Sequence, residues 1–324
     1  TSFVGFTDVF LSTNFGLNWT RTFLNNNVYS FAVSGSNIYA GTTLQGVYLS
    51  SNNGTNWSQI GLTGKIVSAL AIVGNNLYAG TWDSGVYRST NNGINWSQTV
   101  LNNKTIRSLA SLGNNVFAGT DGSGVYISSD NGISWLQTSL NNKYVNCLTV
   151  CGNKIYSASF YNGLSEIYTS TNNGVNWTIN SLHIYTHSFA VNGSNIFAGT
   201  HVDGIFLSTN NGINWVQINA GLILNTAIPS LLITDNYVFA GSLFHSIWRR
   251  PLSEILGVQN INTEIPSAYS LEQNYPNPFN PMTKINFAIP KSSGVKILVF
   301  DVTGKEIAVL VNETLQAGTY QTDW

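Results

Sequence analysis

The segment Ser89-Thr-Asn-Asn-Gly-Ile-Asn-Trp96 indicates a repeat architecture, because the same octapeptide pattern occurs six times in the chain. The copies begin at Ser12, Ser50, Ser89, Ser128, Ser170 and Ser208. Each copy ends in tryptophan, and successive tryptophans lie 38 to 42 residues apart. The shared pattern is SxNxGxxW, with Asp130 replacing the asparagine in the fourth copy. A period of this length predicts a repeat architecture with one supersecondary unit per repeat.

Two further phrases recur with the octapeptide. One is an aromatic residue followed by Ala-Gly-Thr, as in Tyr39–Thr42, and the other is Gly-Val-Tyr, as in Gly46–Tyr48. Each repeat contains four short apolar or alternating runs separated by Gly and Asn turns, which predicts four antiparallel strands. Seven units of the Gly-Val-Tyr type, including degenerate ones, predict an all-β chain with a β-propeller of about seven four-stranded blades.

The octapeptide resembles the Asp box, or BNR repeat, of sialidases, sortilin-type receptors and photosystem assembly factors. In a turn of this kind, the Asn or Asp oxygen accepts backbone N–H groups, the Gly adopts positive φ and the Trp inserts between strands. We therefore predict a structural role for these residues. They are Asn14, Gly16, Trp19, Asn52, Gly54, Trp57, Asn91, Gly93, Trp96, Asp130, Gly132, Trp135, Asn172, Gly174, Trp177, Asn210, Gly212 and Trp215.

The repeats assign residues 1–254 to the propeller, residues 255–268 to a linker and residues 269–324 to a second domain. The chain opens at the second strand of a blade, so the first blade is predicted to be incomplete at its N-terminus. A preceding segment that supplies a fourth strand and a first strand would complete seven blades.

The phrase Tyr269-Ser-Leu-Glu-Gln-Asn-Tyr-Pro-Asn-Pro-Phe-Asn-Pro281 is distinctive. It closely resembles the opening of the type A C-terminal sorting domain used by the type IX secretion system of Bacteroidetes. The sorting motif comprises Tyr275, Pro276, Asn277, Pro278, Phe279, Asn280 and Pro281. The alternating strands after it predict a small β-sandwich, which is immunoglobulin-like in this family. Family members continue with further strands, so the domain is predicted to be partial, ending early at Trp324.

The sorting-domain resemblance implies that type IX machinery is a partner and that the protein is secreted or held at the outer-membrane surface of a Gram-negative bacterium. Only 8% of residues are charged and the net charge is −1, which does not suit nucleic-acid binding. We expect no membrane span, because polar residues and proline interrupt the longest apolar stretch. Cys147 and Cys151 lie too far apart along one strand to bridge.

The loops opposite the octapeptides are the predicted binding face, because rigid scaffolds carry binding residues on loops. The candidate residues are Trp82, Asp83, Asp121, Phe160, Tyr161, Asn162, His201, Asp203 and His245. The aspartates also fit ordinary turn chemistry, since each lies beside a Gly-containing turn. The four histidines lack close ligand spacing, so we predict no metal site, and we expect no cofactor.

The leading hypothesis is a secreted or cell-surface, non-catalytic propeller that acts as a binding or scaffold protein in adhesion or extracellular assembly. Its ligand would be a glycan, a protein or a neighbouring copy of itself. The alternative is a polysaccharide-acting glycoside hydrolase of the Asp-box propeller type, resembling xyloglucanases, in which Asp83, Asp121 and Asp203 face one another. The sialidase arginine motif is missing, so we do not expect sialidase activity.

Overall fold

The computed structural model describes residues 2–5, 9–24, 26–161, 164–180, 182–223, 225–234, 237–242, 247–262, 264–278 and 283–324. The chain forms two compact units. The first contains residues 1–233 and 239–249, and the second contains residues 234–238 and 250–324. The prediction of an all-β chain is confirmed, because the described residues form β-strands and a single short helix.

Seven antiparallel sheets follow one another along the described part of residues 2–251. Sheet 1 contains β1 (Ser2–Gly5), β2 (Val9–Ser12) and β3 (Thr20–Arg21). Sheet 2 contains β4 (Val28–Ser34), β5 (Asn37–Thr42), β6 (Val47–Ser50) and β7 (Ser58–Gly61). Sheet 3 contains β8 (Val67–Val73), β9 (Asn76–Thr81), β10 (Val86–Ser89) and β11 (Ser97–Gln98). Sheet 4 contains β12 (Ile106–Leu112), β13 (Asn115–Thr120), β14 (Val125–Ser128) and β15 (Leu136–Gln137).

The remaining three sheets continue the same order of strands. Sheet 5 contains β16 (Tyr144–Cys151), β17 (Lys154–Tyr161), β18 (Leu164–Ser170) and β19 (Thr178–Ile179). Sheet 6 contains β20 (Thr186–Asn192), β21 (Asn195–Thr200), β22 (Ile205–Ser208) and β23 (Val216–Gln217). Sheet 7 contains β24 (Ser230–Ile233), β25 (Tyr237–Gly241) and β26 (Ile247–Pro251), and the helix α1 (Leu252–Leu256) follows it.

Adjacent sheets pack through their first strands. The strands β4, β8, β12, β16, β20 and β24 contact one another in that order. The Ser68 hydroxyl in β8 donates to the Ile106 carbonyl in β12 at 2.5 Å. A Cβ atom added to Gly80 would lie 2.5 Å from Ile106, so the glycine of the Ala-Gly-Thr phrase allows the next sheet to approach closely. This arrangement of successive four-stranded meanders is that of a β-propeller.

The core lies between the sheets and is built from the second strands. Their repeated aromatic residue is at most 2% exposed at Tyr39, Tyr78, Phe117, Tyr156 and Phe197. In sheets 2, 3 and 4, the aliphatic residues that open the first and third strands are also buried. They are Val28, Val47, Val67, Val86, Ile106 and Val125. Burying an aromatic side chain of this size stabilises the fold by a few kcal/mol, at roughly 25 cal/mol per Å² of apolar surface. The repeated apolar residues therefore supply most of the stabilisation of the first unit.

In sheets 2 to 6 the octapeptide forms the turn between the third and fourth strands, and in sheet 1 it forms the turn between β2 and β3. In the copy that starts at Ser50, the Asn52 Oδ1 atom accepts the Asn56 N–H at 2.9 Å and the Ser50 hydroxyl at 2.9 Å. The Gly54 N–H donates to the Ser50 Oγ atom at 2.8 Å. The same three contacts recur in the other five copies. Asn53 and Gly54 both have positive φ, which favours this residue pair.

The second unit has its own small sheets. Its strands are β27 (Gln259–Asn262), β28 (Ser270–Leu271), β29 (Lys284–Ile289), β30 (Ser293–Phe300), β31 (Glu306–Leu315) and β32 (Gly318–Asp323). One sheet has the order β27-β32-β29-β28, and β30 pairs with β31. Phe287, Ile289, Val311 and Tyr320 form a buried cluster, in which the Phe287 and Tyr320 rings stack at 5.5 Å. The domain boundaries drawn from the sequence remain a prediction.

Two further sequence predictions concern thiols and membrane spans. Cys147 and Cys151 are free thiols, and burial raises the pKa of each above its ordinary value. Among the described residues, no helix is long and apolar enough to cross a membrane.

Candidate binding face

A β-bulge recurs at the same place in five sheets. In sheet 3, Val67 pairs with Thr81 and Ala69 pairs with Gly80, so Ser68 is the extra residue. The same one-residue shift occurs in sheets 2, 4, 5 and 6. A bulge leaves one residue outside the ladder and re-aims its side chain. The bulge residues are Tyr29, Ser68, Arg107, Asn146 and His187.

A second position lies at the same end of these sheets, directly after the second-strand residue that pairs with the residue before the bulge. At this position the second strand leaves the ladder in sheets 2, 3, 4 and 6, whereas in sheet 5 the strand continues and Phe160 pairs with Tyr144. The exit residues are Thr43, Trp82, Asp121, Phe160 and His201. The backbone N–H of Trp82 donates to the Ile66 carbonyl, and the N–H of His201 donates to the Tyr185 carbonyl at 2.9 Å. We call the bulge residues, the exit residues and the loops beside them the loop face. The octapeptide turns lie at the opposite end, because successive antiparallel turns alternate between the two ends of a sheet.

An aromatic pair joins sheets 2 and 3 on the loop face. The rings of Tyr29 and Trp82 have centroids 5.9 Å apart and are tilted by 38°. Both side chains remain about half exposed, at 49% for Tyr29 and 47% for Trp82. Two large rings that touch each other and still face water form an apolar platform among polar loops.

The two candidate carboxylates beside this platform are paired with cations. Asp83 lies 3.2 Å from the Lys65 ammonium, and Asp121 lies 3.0 Å from the Arg107 guanidinium. Burial favours a higher pKa for Asp83. The hydrogen bonds from Lys65 and Ser84, with the charge of Lys65, outweigh burial and lower the pKa below its ordinary value. Asp83 is therefore ionised at neutral pH.

Aromatic and imidazole rings cluster between sheets 5 and 6. The Tyr185 ring forms T-shaped contacts with Phe160 at 5.5 Å, with His187 at 5.0 Å and with His201 at 5.6 Å between ring centroids. The Nε2 atom of His187 lies 2.9 Å from the Nδ1 atom of His201, within hydrogen-bonding distance. Burial and the charge of His201 lower the pKa of His187. His187 is therefore neutral at pH 7.

The other predicted site residues have different surroundings. The Asp203 carbonyl accepts hydrogen bonds from Gln217 at 2.6 Å and Asn219 at 2.8 Å, so its backbone fixes a turn. Tyr161 ends β17, and the structure gives no description of its side chain. Asn162 and His245 lie outside the described residues. Within the described part of the chain, no group of three or more His, Cys, Asp or Glu residues is arranged to hold a metal ion.

Four of the five exit residues are among the candidates predicted from the sequence, whereas Thr43 and the bulge residues are not. Trp82, Asp121, Phe160 and His201 were candidates because they follow a recurring phrase, whereas Tyr29 and His187 lie inside predicted strands. The bulge residues could have been recognised in the sequence as a position near the start of each first strand, because this position varies between the repeats. Across the repeats this position changes between aromatic, hydroxyl, basic, amide and imidazole side chains, as expected for recognition residues on a common scaffold.

Comparison with known proteins supports the fold. No family model and no curated protein matches the chain. Among solved structures, Ycf48 bound to D1 peptide has a TM-score of 0.62 at 16% identity, covering 76% of this chain and 88% of that one. A GH74 xyloglucanase from Xanthomonas campestris has a TM-score of 0.61 at 13% identity, covering 87% of this chain and 55% of that one.

A third similar structure is an extracellular domain assigned to a hybrid two-component system of B. thetaiotaomicron. Its TM-score is 0.62 at 14% identity, covering 97% of this chain and 47% of that one. The chain thus spans about half the length of this protein and of the xyloglucanase. Identities this low establish the class of fold, a β-propeller, and leave the function to be argued from the loop face.

Proposed function

We propose that this protein is an extracellular, non-catalytic propeller that binds a glycan chain on its loop face. The observation that carries the proposal is the exposed Tyr29–Trp82 pair, whose rings touch across two sheets and still face water. An aromatic platform provides an apolar contact for the C–H face of a sugar ring, and adjacent polar groups can bind its hydroxyls. Lys65 and Asp83 supply such groups beside Trp82.

The ion pairs on this face favour binding over hydrolysis. A glycosidase needs one carboxylic acid that stays protonated near neutral pH and a second carboxylate on the other side of the bond. Asp83 has a lowered pKa, which opposes the acid role, and Asp121 is paired with Arg107. The GH74 xyloglucanase shares the fold at 13% identity, which does not carry its activity over.

Affinity electrophoresis of the protein through gels that contain soluble polysaccharides tests the proposal. We expect retardation by at least one polysaccharide, and a loss of at least about 10-fold in affinity in Tyr29→Ala and Trp82→Ala, since each loses part of the platform. Ile94→Ala is the matched control, because Ile94 is 75% exposed on an octapeptide turn at the opposite end. Equal loss in the control, or binding only to a peptide library, would contradict the glycan proposal.

The second unit supports a proposal about location. We propose that residues 269–324 direct export by the type IX system, so that the propeller acts outside the cell or at the outer-membrane surface. The support is the sorting-motif resemblance, together with a described motif segment, Tyr275–Pro278, that is anchored to β29. The Tyr275 N–H donates to the Lys284 carbonyl at 2.9 Å, and the Lys284 N–H donates to the Tyr275 carbonyl at 3.0 Å. The remaining motif residues Phe279, Asn280 and Pro281 lie outside the described residues.

Export is tested by expressing the chain behind a secretory leader in a bacterium that has a type IX system. We expect the propeller in the medium or at the cell surface, and in the periplasm when residues 269–324 are deleted. Unchanged export after the deletion would refute the sorting role and leave the glycan proposal untouched.

A further inference from the structure

We propose that His187 and His201 form a two-histidine site for Cu²⁺ on the loop face. This site is independent of the proposed glycan platform, which lies on sheets 2 and 3. The two rings come from adjacent strands of sheet 6, at its bulge and exit positions. Imidazole nitrogen is a strong ligand for copper, nickel and zinc, and two such nitrogens chelate more strongly than one.

The backbone of the sheet places the two histidine side chains close together, because the bulge and exit positions lie side by side. At the same two positions of sheet 4, Arg107 and Asp121 form an ion pair at 3.0 Å. The bulge and exit positions therefore bring opposing side chains together in two sheets with unrelated residue types. In sheet 6, Tyr185 is in edge-to-face contact with both imidazoles.

The distance between the two nitrogens is compatible with cis coordination of one ion. The Nε2 atom of His187 and the Nδ1 atom of His201 are 2.9 Å apart in a hydrogen bond. A metal–nitrogen bond length of about 2.0–2.1 Å and a right angle at the metal also place two ligand nitrogens about 2.9 Å apart, so the rings would bind one ion by turning their lone pairs toward it, without moving apart. A right angle matches cis positions in the tetragonal geometry of Cu²⁺ and Ni²⁺. The Irving–Williams order then places Cu²⁺ first.

The protons balance without an added reactant. In the metal-free pair, one ring donates its N–H to the lone pair of the other across the 2.9 Å contact. When Cu²⁺ enters, the donating ring moves to its other neutral tautomer, with the proton on its far nitrogen, and both facing nitrogens bind the ion. No net proton is released from a neutral pair. Water occupies the remaining metal positions.

Isothermal titration calorimetry of the whole chain with CuCl₂ in a non-coordinating buffer at pH 7.5 tests the proposal. We expect one Cu²⁺ per chain, weaker binding of Ni²⁺ and Zn²⁺, and an electron paramagnetic resonance spectrum with two nitrogen ligands. His187→Gln and His201→Gln should each lower Cu²⁺ affinity by at least about 10-fold. His183→Gln, which alters an exposed histidine of the preceding loop, should leave it unchanged.

A double variant distinguishes loss of the copper site from loss of the fold. Combining His187→Arg with His201→Asp installs the residue pair that sheet 4 carries at these positions, so the fold should persist while the copper site is removed. A folded double variant that binds Cu²⁺ as tightly as the wild type would overturn the proposal. Equal losses in His183→Gln and His187→Gln would overturn it as well, because they would place the ion elsewhere.

Discussion

The two ends of the same sheets follow opposite rules. At the octapeptide end, six turns repeat the same residues and the same three hydrogen bonds, all within eight residues of chain. At the loop face, the backbone bulge repeats but its side chains differ in every sheet, and several of them contact each other rather than the backbone. The comparison separates residues that maintain the fold from residues that are available for recognition.

The largest expected effect contrasts two tryptophans at the two ends. Trp96 is part of an octapeptide, packs on the core between sheets 2 and 3, and donates its Nε1–H to the Ile60 carbonyl at 3.1 Å. Trp96→Ala should lower the free energy of unfolding by about 3 kcal/mol. Trp82→Ala, at a half-exposed site, should lower it by no more than about 1 kcal/mol.

Urea denaturation measures both variants, and polysaccharide binding by the folded fraction completes the comparison. Trp96→Ala should bind normally once folded, and Trp82→Ala should not. If Trp82→Ala proves the more destabilising of the two, the loop face has a structural role and the distinction between the ends fails.

A single octapeptide side chain should have the next largest effect. The Asn91 Oδ1 atom accepts the Asn95 N–H at 2.9 Å and the Ser89 hydroxyl at 3.0 Å. Asn91→Ala leaves both donors without this acceptor and should lower the free energy of unfolding by about 1–2 kcal/mol. Asn102→Ala, an exposed loop residue of the same type, should change it by less than about 0.5 kcal/mol. Equal losses of unfolding free energy in urea denaturation would show that the octapeptide hydrogen bonds do not stabilise the fold.

The fourth octapeptide should respond to pH, because it carries the aspartate. Hydrogen bonds from the Ser134 side chain and backbone lower the pKa of Asp130 from 3.8 to about 2. A carboxyl group with a lowered folded-state pKa stabilises the fold above its unfolded pKa of about 3.9, and that stabilisation is lost as pH falls through 2.

Thermal unfolding of the wild type and Asp130→Asn across pH 1.5–6 measures this contribution. The difference in Tm should be constant above about pH 5 and disappear at the acid end. Ser134→Ala removes the leading cause of the shift and should reduce the pH dependence. A difference in Tm that does not vary with pH would assign the Asp130 contribution to something other than its charge.

The smallest expected effect belongs to a loop-face ion pair. Lys65→Ala removes the cation beside Asp83, whose carboxylate is 62% exposed. Exposed pairs contribute at most about 1 kcal/mol, so stability should hardly change. The pKa of Asp83 should rise toward its ordinary value, as measured by carbon-detected NMR titration. An unchanged pKa would show that Lys65 does not lower the pKa of Asp83. The ion pair would then give no reason to exclude Asp83 as a general acid.

The sequence predicts the octapeptide end well because its interactions are local. Ser50, Asn52 and Gly54 contact one another within one turn, so the residues and their spacing suffice. Trp82 and His201 could be named as exit residues for the same reason, since each follows a recurring phrase.

The rest of the loop face depends on contacts that span long stretches of chain. Tyr29 reaches Trp82 only when two sheets pack side by side, and His187 meets His201 only because a bulge turns it. A bulge adds one residue to a strand, and its place is fixed by pairing that sequence periodicity does not contain. The contact between His187 and His201 could therefore not be predicted from the sequence.

Hydrogen–deuterium exchange, with and without the polysaccharide that binds best, shows which end of the sheets holds the ligand. We expect slower exchange around residues 27–30, 66–68 and 81–84 on the loop face, with unchanged exchange in the octapeptide turns. Slower exchange confined to the octapeptide turns would contradict this prediction, because the ligand would then occupy the end that we assign to the fold alone.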